Sequence, residues 1–237
     1  MIQIITRIRF PELYRKMQET ARATAKGPLM FTAAHDDGDP KLAESYNLLG
    51  SCSMADILLF VHDDISFLSD GWDEKIEEAI GLGFNLVGVV GSKEYKGGMV
   101  FDSGREHSAG RLVCNIGDKR MVKIMENISE VEPVKVVDGM FMAMTRDHFL
   151  RSGGFDARFD GLFYYDMDMC LRSNCAVVNI LVAHEKPSHL RGDYPKDIRT
   201  ITDYEGLFNS KHGFPYNPPI GDQSCGSMSY NDYKVEA

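Results

Sequence analysis

The chain has 237 residues, 43% hydrophobic and 26% charged, which is room for one large domain of ordinary globular composition. Its formal net charge of −9 excludes a broad electrostatic grip on nucleic acid or anionic lipid, which needs Lys and Arg. The five cysteines are odd in number and form no CxxC pair, which argues against a zinc site or a disulfide framework and for reduced thiols in a cytoplasmic protein.

The opening MIQIITRIRF has no apolar core of signal-peptide length, and no apolar run approaches the roughly 20 residues that span a bilayer. Any membrane attachment is expected to be peripheral. Residues Ile2 to Ile8 are rich in β-branched side chains and predict a first strand. In the following PELYRKMQETARATAKG, Pro11 suits a first helical turn and Leu13, Met17 and Ala21 repeat at helical spacing. PLMFTAAHDDGD predicts a second strand ending near Ala34. KLAESYNLLGSCSM predicts a helix with Leu42, Tyr46 and Leu49 on one face, and DILLFVHDD a buried strand. DGWDEKIEEAIGLG is a helix with an acidic start, closed by Gly81 or Gly83, and Trp72 packs it on the sheet. NLVGVVGS is another apolar strand.

From Lys93 to about Glu132 the pattern weakens to glycine-rich loops with short strands. VEPVKVVDGMFMAMTRDHFLRSGGFD then predicts a strand, a turn at Asp138-Gly139, a strand and a short helix from Arg146 that ends at Gly153-Gly154. Met140, Met142 and Met144 belong to the core. DMDMCLRSNC starts a helix, and CAVVNILVAHE is a last strand ending at His184. The tail holds one helix near Tyr204 to Lys211. Alternating strands and helices predict an α/β domain with a mostly parallel central sheet flanked by helices. In such sheets ligands bind beyond the carboxyl ends of the strands, where Asp36, Asp37, Asp63 and Asp64 fall.

Two clusters carry chemistry. FVHDDISF ends an apolar strand in His62-Asp63-Asp64, where hard divalent cations find the one or two carboxylates they share with substrate phosphates. A lone acid pair is also what a solvated turn carries. GGFDARFDGLFYYDMDMCLR places Asp166 and Asp168 two apart at a helix start behind an aromatic run. Capping of the helix accounts for one of them, Asp168.

The ordered set VDGMFMAMTRDHFLRSGGFDARFDGLFYYDMDMCLR after ADILLFVHDD resembles the family-2-type glycosyltransferases of the GT-A fold, in the branch with HDD in place of the DxD motif. The resemblance covers about Ile2 to His189. It implies a GT-A-like catalytic domain over residues 1–190, with a donor half of about 1–92 and an acceptor half of about 93–190, followed by a tail over 191–237. It implies that Asp64 is a ligand of Mn²⁺ or Mg²⁺ and holds the donor diphosphate, with His184 completing the metal shell and His189 as the alternative. Thr6, Asp36 or Asp37, His62 and Asp63 fall on the nucleotide side. Asp166 matches the general base, although Tyr165 stands where relatives carry Glu. Gly154, Phe155, Asp156 and Tyr165 fall on the acceptor side.

The implied activity is metal-dependent, inverting transfer of a hexose from a sugar nucleotide, UDP-linked first, to a hydroxyl of a glycan, a lipid-linked acceptor or another polymer. A modified DNA base stays open as an acceptor, although the net charge disfavours extensive duplex contact. A non-catalytic sugar or nucleotide binding module is the rival from another class, motivated by His62 and Tyr165. A metal-dependent nucleotidyltransferase is a second rival, disfavoured because no glycine-rich phosphate loop follows the first strand.

Overall fold

A computed structural model describes residues 1–36, 41–100, 102–116, 119–124, 130–161, 163–185 and 201–214. The chain opens with β1 (Ile2–Ile8), α1 (Pro11–Thr24), β2 (Leu29–His35), α2 (Leu42–Cys52) and β3 (Ile57–Val61). These follow the predicted order. Pro11 occupies the first turn of α1, where a missing N–H costs nothing, and Met17 and Ala21 are its buried residues. A short β4 (Ile65–Phe67) and α3 (Trp72–Gly81) come next, then β5 (Leu86–Gly88) and β6 (Val90–Ser92). Trp72 is fully buried against Phe67, with ring centroids 4.5 Å apart. The second half holds β7 (Ser108–Ile116), β8 (Lys119–Ile124), β9 (Val131–Val134), β10 (Val136–Val137), β11 (Phe141–Thr145), α4 (Arg146–Arg151), α5 (Tyr165–Cys170), β12 (Cys175–Val178), β13 (Val182–His184) and α6 (Ile201–His212).

The larger sheet has seven strands in the order β2-β1-β3-β11-β5-β12-β9. β2, β1 and β3 run parallel, with β3 (ILLFV) buried along its whole length, which is why it reads as one apolar run. β11 lies antiparallel to both β3 and β5, and β9 lies antiparallel to β12. The sheet is therefore mixed, a correction to the mostly parallel sheet expected from the alternation. The cause is the tight turn at Asp138-Gly139. β11 starts with Phe141 opposite Val61, at the end of β3, so it can only run back along it.

A second sheet of six strands has the order β10-β6-β7-β13-β4, with β8 on β7. Two apolar runs predicted as single strands cross from one sheet to the other. NLVGVVGS divides into β5 and β6, and CAVVNILVAHE into β12 and β13. The bend needs glycine. A Cβ on Gly88 would lie 2.6 Å from Val137 Cβ, and one on Gly91 would lie 2.3 Å from the Val136 carbonyl oxygen. The first bend is apolar and buried throughout, and the second is marked only by the half-buried Asn179, so periodicity alone does not give the switch.

α6 falls in the segment expected as a tail, and it packs into the domain. Its Phe208 is buried against Tyr164, Phe159 and Tyr95, and Tyr204 donates to Asp160 Oδ1 at 2.6 Å. Its other anchor is Asp168, which is fully buried. Arg172 pairs with Asp168 Oδ2 at 3.0 Å, and Lys211 and His212 of α6 both reach Oδ1. Asp168 is thus not the side-chain cap expected from its place at the helix start. Removing one member of a fully buried ionic group costs roughly 3–5 kcal/mol; the cost is smaller here, because Arg172 keeps the Ser152 and Gly154 carbonyls and Lys211 keeps Asp156. Asp168→Ala is therefore expected to release α6 first. Hydrogen exchange should show amides of residues 201–212 losing protection while β3 and β11 keep theirs. Uniform loss in both regions would mean that Asp168 supports the whole domain instead.

Candidate active site

The carboxyl end of β3 runs directly into His62, Asp63 and Asp64, and their side chains diverge. The His62 amide donates to the Met140 carbonyl at 3.1 Å, which ties the strand end to the turn before β11. Asp63 turns back toward the β1–α1 connection. Its Oδ2 accepts the Arg9 and Phe10 amides, both at 2.6 Å, and burial pushes its carboxyl up to about 6. Asp63 holds backbone in place and does not join its neighbours, although the sequence put it with them on the donor side.

Asp64 faces β13. The antiparallel pairing of β13 with β4 sets His184 opposite Ile65, one residue on, and His184 Nε2 lies 3.1 Å from Asp64 Oδ2. Ligand atoms of His62, Asp64 and His184 lie within 4.8 Å of one another. Burial alone would raise the Asp64 carboxyl. The hydrogen bond and charge of His184 and the charge of His62 outweigh it and hold the group below the usual carboxylate value. Burial pushes the His62 ring down, against the opposing pull of Asp64. Asp64 Oδ1 is buried and has no hydrogen-bond partner among the described residues. A buried carboxylate oxygen without a partner is costly. Two imidazoles and an open carboxylate oxygen fit a divalent cation.

The turn Asp138-Gly139-Met140 joins this cluster to the start of α5. Asp138 Oδ1 accepts the Met140 amide at 2.9 Å and closes the turn. The Gly139 amide donates to Asp166 Oδ2 at 2.9 Å, while Asp166 Oδ1 accepts the Met167 amide at 2.9 Å. Burial first, and the charge of Asp138 second, push the Asp166 carboxyl up to about 7, against the two backbone donors. Tyr164, which precedes α5, has a left-handed backbone at φ 68°, the one such non-glycine among the described residues. That conformation costs energy and starts α5 with its first carboxylate facing Gly139.

Thr6 is buried near the carboxyl end of β1, and its Oγ1 has no hydrogen-bond partner among the described residues. Asp36 follows β2 and accepts Arg7 Nη2 at 3.0 Å. Both positions lie at the same sheet end as His62. Asp37 and His189 lie outside the described residues.

The residues expected on the acceptor side separate. Gly154 has φ 74°, and a Cβ there would lie 2.4 Å from Asn47 Oδ1. Asn47 Nδ2 donates to the Phe155 carbonyl at 2.7 Å and Asn47 Oδ1 accepts the Phe155 amide at 2.8 Å. This pair pins the GGFD turn to α2. Phe155 is 2% exposed among Tyr46, Phe60 and Tyr165, so it is core and lines no open pocket. Asp156 pairs with Arg158 and Lys211, which hold its carboxyl well below the usual range despite partial burial. Tyr165 is 1% exposed, which also sets its hydroxyl inside the site wall instead of at an open surface.

The family model described as "Glycosyltransferase like family" matches residues 31–196. The chain belongs to that family. No curated protein matches the sequence closely enough to be counted as a relative. Among solved structures, the protein is similar to GalNAc-T7 solved with UDP, GalNAc and Mn²⁺, at TM-score 0.58 and 8% identity, over 86% of this chain and 47% of that one. It is also similar to S. aureus TarS 1-349 in complex with UDP-GlcNAc, at TM-score 0.51 and 8% identity, over 89% of this chain and 66% of that one. The chain thus spans about half of the GalNAc-T7 chain. At such identities the likeness is one of fold, and that fold is GT-A. No helix among the described residues is long and apolar enough to cross a membrane.

The residues that the sequence left out are the parts of the Asp138 turn. Its Gly-containing dipeptide is legible as a turn, but only the fold shows that the Gly139 peptide touches both Tyr165 and Asp166. The raised Asp166 carboxyl has a measurable consequence. Unfolded, the group gives up its proton near pH 4; folded, it keeps it to about pH 7. The folded state binds the extra proton between those values and loses stability as pH rises through them. Asp166→Asn lacks this titration. Urea unfolding from pH 4 to pH 8 should move the stability difference toward the variant by on the order of a few kcal/mol. Parallel pH profiles would show that the Asp166 carboxyl is not raised.

Proposed function

We propose that the protein is a metal-dependent, inverting glycosyltransferase that moves a sugar from a UDP-sugar to an acceptor hydroxyl. One observation carries this reading. A three-residue cluster suited to a divalent cation, with an unpartnered carboxylate oxygen, is joined through one turn to a second carboxylate that titrates near neutrality. The GT-A neighbours solved with UDP, GalNAc and Mn²⁺ or with UDP-GlcNAc support the donor class.

His62, Asp64 and His184 would hold the metal, and two nitrogen donors favour a transition ion such as Mn²⁺ over Mg²⁺, which prefers oxygen. Bound there, the ion supplies Lewis-acid stabilisation of the leaving diphosphate. Thr6 and Asp36 serve the nucleoside end of the donor. Asp166 takes the proton of the acceptor hydroxyl as its oxygen bonds to the anomeric carbon and the bond from that carbon to the diphosphate breaks. A carboxyl near 7 suits a general base, because it is substantially ionised at neutral pH and still basic enough to accept the proton. Attack from the side opposite the leaving group inverts the anomeric centre. Residues 1–92 would form the donor half and 93–190 the acceptor half. A glycan or lipid-linked hydroxyl fits the net charge better than duplex DNA.

Calorimetry with UDP and UDP-sugars, in Mn²⁺ and then in EDTA, tests the donor and metal assignments. Asp64→Ala should lose metal-dependent UDP binding. Affinity unchanged in Mn²⁺ would remove Asp64 from the metal site. Asp166→Asn should keep UDP binding and lose transfer by about 10²–10⁴-fold. Transfer surviving within a few-fold would remove Asp166 as the base, and UDP binding without transfer to any hydroxyl acceptor would favour a binding module.

A further inference from the structure

The hydroxyl of Tyr165 sits between the two halves of the site. Tyr165 Oη lies 3.0 Å from the Gly139 carbonyl oxygen and 3.3 Å from His62 Nε2. A phenol has one proton to give. The carbonyl is only an acceptor, so that proton goes to Gly139. Toward His62 the phenol oxygen is then an acceptor, and His62 Nε2 must carry a hydrogen. In the neutral ring this leaves the lone pair on Nδ1.

We propose that Tyr165 is a positioning residue that holds His62 as the Nε2–H tautomer and so reserves Nδ1 for the metal; this rests on the metal site proposed above. The ring of Tyr165 has little freedom to do otherwise. It is enclosed by Tyr46 and Phe155, with ring centroids at 6.2 and 5.6 Å. The opposite end of the same link is Gly139, whose amide holds Asp166. A glutamate here would place a charged acceptor beside His62 and would have no proton for the Gly139 carbonyl. A tyrosine serves both partners while staying neutral. Metal-ligating histidines commonly give their second N–H to an acceptor that fixes ring and tautomer, and losing that acceptor typically costs 10–100-fold in metal affinity.

The test has two independent parts. In metal-free protein with ¹⁵N-labelled histidine, the His62 signal, assigned by its absence in His62→Ala, should report protonated Nε2 and unprotonated Nδ1 in the native chain. In Tyr165→Phe it should shift toward a tautomer mixture. Mn²⁺ titration of the same proteins should show about 10–100-fold weaker binding in Tyr165→Phe. Tyr46→Phe, which removes a neighbouring buried hydroxyl that makes a 3.5 Å contact with the Val61 carbonyl, should leave both readouts unchanged. A native His62 protonated at Nδ1 would overturn the proposal, as would unchanged Mn²⁺ affinity in Tyr165→Phe. If the native protein takes up no Mn²⁺, the metal site fails and the proposal fails with it, whereas Mn²⁺ binding with an unmoved tautomer overturns only the role of Tyr165.

Discussion

The peptide at Gly139 has no room for a side chain. A Cβ there would lie 2.3 Å from Tyr165 Oη, 2.7 Å from Tyr165 Cζ and 2.9 Å from Asp166 Oδ2. The bare backbone lets the start of α5 close on the turn, so that the Gly139 N–H meets Asp166 and its carbonyl meets Tyr165. The same turn is held from the other side, where His62 donates its amide to Met140. Three segments far apart in sequence therefore meet over a single glycine. The spacing between the metal-type cluster and the candidate base is set by backbone contacts, which are less compliant than paired long side chains.

The mixed sheet makes this meeting possible. β3 leaves the larger sheet carrying His62 and Asp64, and β11 enters beside it in the opposite direction. Their shared end is the Asp138 turn. The switch of β12 into β13 brings His184 across to the second sheet, where pairing with β4 sets it beside Asp64. Had the last apolar run stayed in one sheet, His184 would not reach the Asp64 carboxylate. The glycines at 88 and 91 serve the parallel crossing of β5 into β6, where β10 presses close. Fold irregularity and site construction are here the same feature.

Much of this was legible in sequence, for reasons that differ by element. β3 showed as an uninterrupted apolar run because both its faces are buried, and α1 showed through Met17 and Ala21 at helical spacing behind Pro11. The Asp64-His184 pair was reachable through strand-end positions and the family resemblance, whereas His62, expected on the nucleotide side, joins them only in the fold. What escaped was whatever depends on side-chain direction. Asp63 and Asp64 are adjacent and chemically identical, yet one caps a loop and the other faces His184. Phe155, which the resemblance set on the acceptor side, packs inward, because Asn47 fastens its backbone to α2. Asp168 looked like a cap, and only the docking of α6 brings Lys211 and His212 to it. The β7–β8 hairpin was read only as loops with short strands, because the glycine-rich stretch before it masks its alternation.

The two carboxylates of the site reach opposite states by different surroundings. Both are buried, and burial alone would raise both. Asp64 has imidazoles against it, and their hydrogen bond and charge bring it below its usual value. Asp166 has two backbone N–H donors, which do not fully offset burial, and the charge that adds to burial is that of another acid, Asp138. Two groups of one chemistry pushed apart in this way are suited to separate acid–base tasks. A carboxylate that stays ionised suits a cation, and one that titrates near neutrality suits a proton in transfer. Because Asp138 also closes the turn that presents Gly139, a residue whose charge adds to burial in raising the Asp166 carboxyl also shapes the turn that holds Asp166. Position and basicity of the candidate base are therefore linked through one short segment.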